Sequence, residues 1–570
     1  MNHPLSSSSP GSGRRVPIPV PVAVVVLGLA LTSCTTTPAG PVDGRKSATT
    51  AVREGGSLVF GAEQEPDCVD WIATCGASIW GTYMLQAQTI PRVFDVRKKG
   101  KDWVPVPSAM MASDPVISTG ARPKITYRLD PKAVWSDGRP ITSADLKYTA
   151  LQIRDGKNIF DKTGYTEIAS VETPGPKTAV VTLKRPLGSW KGLFSGSYGV
   201  LPSHLLRGKD RTKLMKDGYQ FSGGPWKLDK WVRGTSLTLV PNDRYWGKKP
   251  HLSKVTFQFT SDTAAAFQAF RTGQLDALYP SPQLDVIDQI KQGLPNASVQ
   301  TEAQTGSLEA LWMNNGRFPF DSPAVRRAVS YAIDREALVE RLYGPLGVKQ
   351  PAQSFNSPLV SRYAATDFSA YSLDLKKVEE IMTADGWAKG GDGIWAKDGR
   401  KAKFTVTTMA GNKRRELTEQ ILQTQLEKAG FAMGIQNTSA ANLFAKVAPA
   451  GDFDLGLWTL VDTFPEPSLG ASFLASSIPS AANGNAGINF MRARVPGLDP
   501  VLKEVAAAMD DATRRTASLK AERIIADEVP SLPLSAVPNV LLWNKRVGGP
   551  VSINPVEGPW WNLADWGRAE

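Results

Sequence analysis

Trp135-Ser136-Asp137-Gly138-Arg139-Pro140-Ile141-Thr142-Ser143-Ala144-Asp145-Leu146 reads as a tight turn leading into a capped helix. Asp137-Gly138 supplies a turn whose glycine tolerates positive φ. Thr142 or Ser143 then serves as N-cap, Asp145 falls in the first turn, and the spacing predicts a helix through residue 153. Just upstream, residues 124–129 alternate apolar and polar in the manner of a half-buried strand.

The same alternation of short strands and capped helices extends in both directions. Strands are expected at 57–61, 236–240 and 254–259, with a helix over 263–272 that stops at Gly273. In the second half, Ser322-Pro323 opens a helix through residue 333. Helices over 373–385 and 415–429 end at Gly386 and Gly430, and strands are expected at 403–408 and 453–458. No repeat period appears, so the class is mixed α/β.

At 570 residues the chain exceeds a single hydrophobic core, and two or more domains are expected. Hydrophobic residues at 42% and charged residues at 21% exclude a disordered or fibrous class. The net charge of +12 raises a nucleic-acid reading, but Arg97-Lys98-Lys99, Lys248-Lys249 and Lys413-Arg414-Arg415 lie far apart. Each reads as solvated surface, so no nucleic-acid partner is expected. Attraction to an anionic cell envelope is the more modest reading.

Near the start, Arg14 and Arg15 precede an apolar run over 16–30 that ends in Leu31-Thr32-Ser33-Cys34. This is the layout of a secretory signal, 1–33, and Leu-Thr-Ser-Cys resembles the bacterial lipobox, which implies cleavage before Cys34 and diacylation of its thiol. Prolines 17, 19 and 21 leave only 22–30 unbroken, too short to span a bilayer. Residues 34–55 read as a flexible tether. In an oxidising compartment Cys68 and Cys75 remain as either a disulfide pair or two buried thiols.

Several segments, in order, resemble the bacterial extracellular solute-binding proteins of family five, the dipeptide- and oligopeptide-binding lipoproteins of ABC importers. They are Ile125-Thr126-Tyr127-Arg128-Leu129 with the turn and helix quoted above, then Gly223-Gly224-Pro225-Trp226-Lys227-Leu228, Asn242-Asp243-Arg244-Tyr245-Trp246 and Gly273-Gln274-Leu275-Asp276. Met313-Asn314-Asn315, the run from Val325 to Arg335, Asp452-Phe453-Asp454-Leu455 with Trp458, Asp462 and Pro467, and Val529-Pro530-Ser531-Leu532-Pro533-Leu534 complete the set. The resemblance implies a two-lobe, periplasmic-binding-protein-like (Venus flytrap) fold. Lobe one would comprise 56–300, with an inserted subdomain at about 105–215, and lobe two 301–525, with 526–570 returning to lobe one. Two chain crossings would form the hinge.

The resemblance also implies that Asp462 pairs with the α-amino group of a peptide. Thr463, Phe464 and Pro465 make the spacing to Glu466-Pro467 one residue longer than the family pattern, which leaves a surface-loop carboxylate as the alternative. Trp458, Trp312 and Asn314 are candidate cleft residues, against a core role. In the loop 63–75, Glu65, Asp67, Asp70 and Trp71 are candidates, against a loop merely pinned by a disulfide.

Only His3, His204 and His251 occur, and no H-E-x-x-H, G-x-S-x-G, S-x-x-K or G-x-x-x-x-G-K motif is present. The expectation is therefore a binding protein with no catalytic residue, metal or cofactor. It would be a monomer lipid-anchored to the outer face of the cell membrane, passing short peptides to an ABC permease and its ATPase. The alternatives are an oligosaccharide, haem or metal-complex cargo on the same fold, or a secreted hydrolase or cell-wall interaction protein.

Overall fold

A computed structural model describes residues 51–76, 78–100, 102–196 and 198–570. The expected signal segment, Cys34 and most of the tether lie outside these residues. The tether expected through residue 55 ends sooner, because Val52–Arg53 pairs antiparallel with Gly567–Ala569.

Two sheets organise the rest. The first has seven strands in the order Ala297–Glu302, Asn539–Asn544, Ala277–Leu278, Ser57–Ala62, Lys254–Phe259, Ser236–Pro241 and Trp226–Val232. Ser57–Ala62 runs parallel to both its neighbours. Leu58, Phe60 and Ala62 are buried on one face, and Val59 on the other packs, partly buried, against the cluster around Phe267 and Phe270. Phe60 stacks on Trp560 at 4.7 Å, which fastens the C-terminal segment to this lobe.

The second sheet has the order Ala432–Ile435, Lys403–Thr407, Leu455–Val461, Ser307–Met313 and Leu532–Ala536. Helices Pro323–Tyr331, Lys413–Lys428 and Asp511–Glu528 belong to this half of the chain. The boundary expected at 525/526 needs correction. Leu532–Ala536 still pairs with Ser307–Met313, and Asn539–Asn544 is the first strand back in the seven-stranded sheet. Pro533 is tolerated there because the strand lies at the sheet edge, beside an irregularity in the register. The two crossings are therefore at 303–306 and 537–538.

The inserted subdomain carries a four-stranded antiparallel sheet, Val116–Ile117, Lys124–Arg128, Thr178–Leu183 and Ile168–Gly175, with helix Ser143–Asp155 beside it. Thr142 and Asp145 form a reciprocal capping box. Asp145 also accepts from Trp135 Nε1 at 3.3 Å and from Ser203 N and Oγ at 2.8 and 2.6 Å, so one carboxylate ties the turn, the helix and a distant loop together.

Cys68 and Cys75 form a disulfide across a separation of seven residues. By loop-closure entropy a ring this small stabilises by about 2–3 kcal/mol. The double change C68S/C75S is accordingly expected to lower the chemical-denaturation free energy of the first lobe by about that amount, read from unfolding curves of the oxidised and variant proteins.

The lobes are in contact along the seam between them. Asn158 N donates to Gly484 O at 2.6 Å, Gly487 N to Phe160 O at 3.1 Å and Gly188 N to Ala506 O at 2.7 Å. Elsewhere on the seam, Asn412 Nδ2 donates to Ser281 Oγ at 3.3 Å, and Lys413 pairs with Asp262 at 3.7 Å.

Candidate functional site

A cavity of about 400 Å³ lies between the lobes, lined from both. That is at the small end of ligand sites, which run from about 300 to 1,000 Å³. Trp71, Trp80, Tyr83 and Tyr279 line it from the first lobe; Trp312, Phe444 and Trp458 line it from the second.

Asp462 stands just past the strand Leu455–Val461, where its backbone N–H donates to Gly306 O at 2.9 Å in the first crossing. Its side chain is buried in the cavity wall. Ser357 Oγ donates to Oδ2 and Ser468 Oγ to Oδ1, both at 2.5 Å. A carboxylate offers about four lone-pair sites, so acceptor capacity remains. No cation pairs with it among the described residues, and burial pushes its pKa up to about 6 against the lowering effect of the two serines. Ser357 is itself held in place by Glu522, a buried carboxylate that accepts from Ser354 Oγ and from the backbone N–H groups of Phe355 and Asn356. These residues belong to the loop that presents Ser357.

Further along the same strand pair, where Glu309 faces Thr459, the cavity wall carries a buried charge cluster. Asn412 caps helix Lys413–Lys428, which sets Arg414 and Arg415 in its first turn, where the helix dipole disfavours positive charge. Glu309 offsets this. It receives Arg415 Nε at 2.6 Å and Arg414 Nη2 at 3.2 Å, and Thr459 Oγ1 donates to it as well. Burial alone would raise the Glu309 carboxyl, but the two guanidinium groups outweigh it and hold it at about 2. Two arginines against one glutamate leave Arg414 Nε and Nη1 and Arg415 Nη1 without an acceptor among the described residues. This corrects the reading of Lys413-Arg414-Arg415 as solvated surface: Lys413 is solvated, and both arginines are 3% exposed.

Of the residues expected at the site, Asp462, Trp458, Trp312 and Trp71 line the cavity. Trp312 and Trp458 stack at 6.1 Å, and Trp312 Nε1 donates to Trp458 O at 2.9 Å. Gly456 makes room for the Trp458 ring, since a Cβ there would come within 2.0 Å of it. Trp71 Nε1 has no acceptor among the described residues.

Asn314 and Glu65 lie outside the cavity lining. The Asn314 amide donates to Gly451 O and Phe453 O and accepts from Gly316 N, which locks a turn at the end of Ser307–Met313. Glu65 accepts from Trp231 Nε1 and from Gly234 N, closing the hairpin between Trp226–Val232 and Ser236–Pro241. Asp70 is likewise consumed inside the first lobe by Arg211 at 2.9 Å, and Asp67 is an exposed loop residue. The acid of this loop that does line the cavity is Glu63, which accepts from Ser281 N and Oγ at 2.7 Å.

Among the described residues, no group of three or more His, Cys, Asp or Glu is placed to hold a metal ion. No helix among them is long and apolar enough to cross a membrane.

The model of the bacterial extracellular solute-binding proteins, family 5, middle region, matches residues 107–480. The oligopeptide-binding protein AppA of Bacillus subtilis (strain 168) is 26% identical over 447 residues, covering 76% of this chain and 79% of its own. The solved structure of that protein in complex with a nonapeptide matches with a TM-score of 0.78 at 22% identity, covering 91% of this chain and 100% of that one. The periplasmic EDTA-binding protein EppA also matches at 0.78, with 21% identity and coverage of 92% and 99%. Two lobes with a cavity between them, built on this family's sequence pattern over most of its length, assign the chain: it belongs to the bacterial extracellular solute-binding proteins, family 5.

Proposed function

We propose that the cleft takes a short peptide with free termini, its α-ammonium on Asp462 and its carboxylate on Arg414 and Arg415. The observation that carries this reading is a buried carboxylate facing the cavity with no cation beside it. A peptide ammonium supplies a charge-assisted hydrogen bond that serines cannot match. On the same second-lobe wall, the arginine N–H groups left over by Glu309 suit a carboxylate, which accepts from a guanidinium fork. The volume of about 400 Å³ favours a short ligand over a long one. AppA, named for oligopeptide binding, supports the class of cargo.

Members of this family are substrate-binding proteins and not enzymes, and the reading extends that to this chain: it closes on its cargo and releases it unaltered. The ligand favours the closed state only by the difference in its affinity for the two states. Trp458, Trp312 and Trp71 would form the apolar walls, with Glu63 at the seam. The lipobox-like Leu31-Thr32-Ser33-Cys34 supports anchoring outside the cell membrane, where an ABC permease with its ATPase would receive the peptide.

Mass spectrometry of ligand co-purified with the protein, followed by thermal shift with pools of free and N-acetylated di- to pentapeptides, tests this reading. Free peptides are expected to raise Tm by mass action and acetylated ones to fail. Stabilisation by oligosaccharides and not by peptides, or turnover of any substrate, would overturn it.

A further inference from the structure

A second cavity, of about 320 Å³, lies wholly within the first lobe and shares no lining residue with the cleft. It is walled by the start of strand Phe94–Lys99, by Gly223-Gly224-Pro225, by Tyr245-Trp246 and by the C-terminal segment around 557–565. Its charged groups divide unequally into partners. Arg97 bridges Asp95 at 3.0 Å and Glu557 at 2.9 Å, and Lys248 pairs with Asp565. Arg92 is left over. It is 7% exposed, and it makes no ion pair and finds no acceptor for its Nε–H among the described residues.

An arginine buried this far without a bonded partner is costly. Burial lowers its pKa, and the nearby Glu557 and Asp95 oppose this through their charge without bonding to it. The lack of a partner is not forced by crowding, because the residue borders open volume. The Lys248–Asp565 pair at the same wall is solvent-exposed, so small solutes have a way in.

We propose that this cavity is a second ligand site, which takes a small monocarboxylate with its carboxylate on the Arg92 guanidinium. The planar fork of an arginine matches a carboxylate in geometry. Asp95 and Glu557 nearby disfavour a dianion such as phosphate, whereas a single negative charge is tolerated beside three cations and three acids. Trp246 and Tyr245 supply flat apolar surface for the remainder of the molecule. The inference does not rest on the peptide reading of the cleft.

The test is [13C]acetate binding, followed by line broadening in NMR on the whole mature protein at fixed ionic strength, with inorganic phosphate as the comparison anion. Wild type is expected to bind acetate in preference to phosphate. R92M is expected to lose that binding by about tenfold or more, the worth of a hydrogen bond to a charged group, while keeping its peptide-dependent thermal shift. R92K keeps the charge without the fork; it is expected to bind with intermediate affinity and serves if R92M does not fold. Equal acetate broadening in wild type and R92K, phosphate bound in place of acetate, or no acetate binding by wild type would overturn the proposal.

Discussion

Asp462→Asn is expected to weaken peptide binding by roughly 30- to 5,000-fold, the range set by about 2–5 kcal/mol for removing one member of a buried, hydrogen-bonded charge pair. Asparagine keeps the shape and still accepts from one of Ser357 and Ser468, so the loss isolates the charge. The same substitution carries a second signature of opposite sign. In the unliganded protein the Asp462 carboxyl sits at about 6, above its ordinary value of 3.8. A folded-state pKa raised in this way contributes stability that is present below pH 3.8 and lost as pH rises through about 6. At pH 7 the ionised group therefore opposes the unliganded fold, and Asp462→Asn should be at least as stable as wild type while binding far more weakly. A merely misfolded variant would lose both. Calorimetric titration across pH completes the check. Wild-type affinity should fall as pH drops through 6, steepening toward about tenfold per unit below it, because the carboxyl must lose its proton before it can pair with an ammonium. The variant should show no such slope.

The second large effect concerns stability. Glu309→Ala should cost about 3–5 kcal/mol, because it strands two buried arginines whose only described carboxylate partner at short range is Glu309. The Glu309 carboxyl is held at about 2, below its usual 4.5, so its contribution is present above pH 4.5 and lost as pH falls toward 2. Urea unfolding of Glu309→Ala at pH 7 measures the cost. The triple change E309L/R414M/R415M removes the ion-paired cluster; Glu63, which the two arginines also favour electrostatically, keeps its hydrogen bonds from Ser281 and can answer by holding its proton. The triple change should cost much less stability than Glu309→Ala alone, yet it should lose affinity for peptides with a free carboxylate. A Glu309→Ala protein of wild-type stability would show that the cluster is solvated after all.

Much of the fold was legible because its signals are local. The helix capped by Thr142 and the strands at 57–62 and 254–259 follow from turn chemistry and period alone. The return to the first lobe was misplaced because Leu532–Ala536 looks like any apolar strand, and only pairing decides which sheet takes it.

The site divides in the same way. Asp462 is implied by the family resemblance, which puts a carboxylate after a strand and a tryptophan, and it does line the cleft. A run of three cations reads as surface, which hides Arg414 and Arg415. The available signal was the Asn412 cap, which places both in a first helical turn and so demands a compensating acid. That the acid is Glu309, more than a hundred residues away, is a fact of packing. Glu65 and Asn314 show the converse: polar residues in the right neighbourhood were consumed by a hairpin and a turn, which no periodicity reveals.

Two lobes joined at 303–306 and 537–538 are expected to close on a small guest. Small-angle X-ray scattering of the mature protein, stripped of co-purified ligand and then titrated with free short peptides, tests it most directly. A smaller radius of gyration is expected with peptide than without. Superimposable profiles at peptide concentrations that saturate the thermal shift would contradict it.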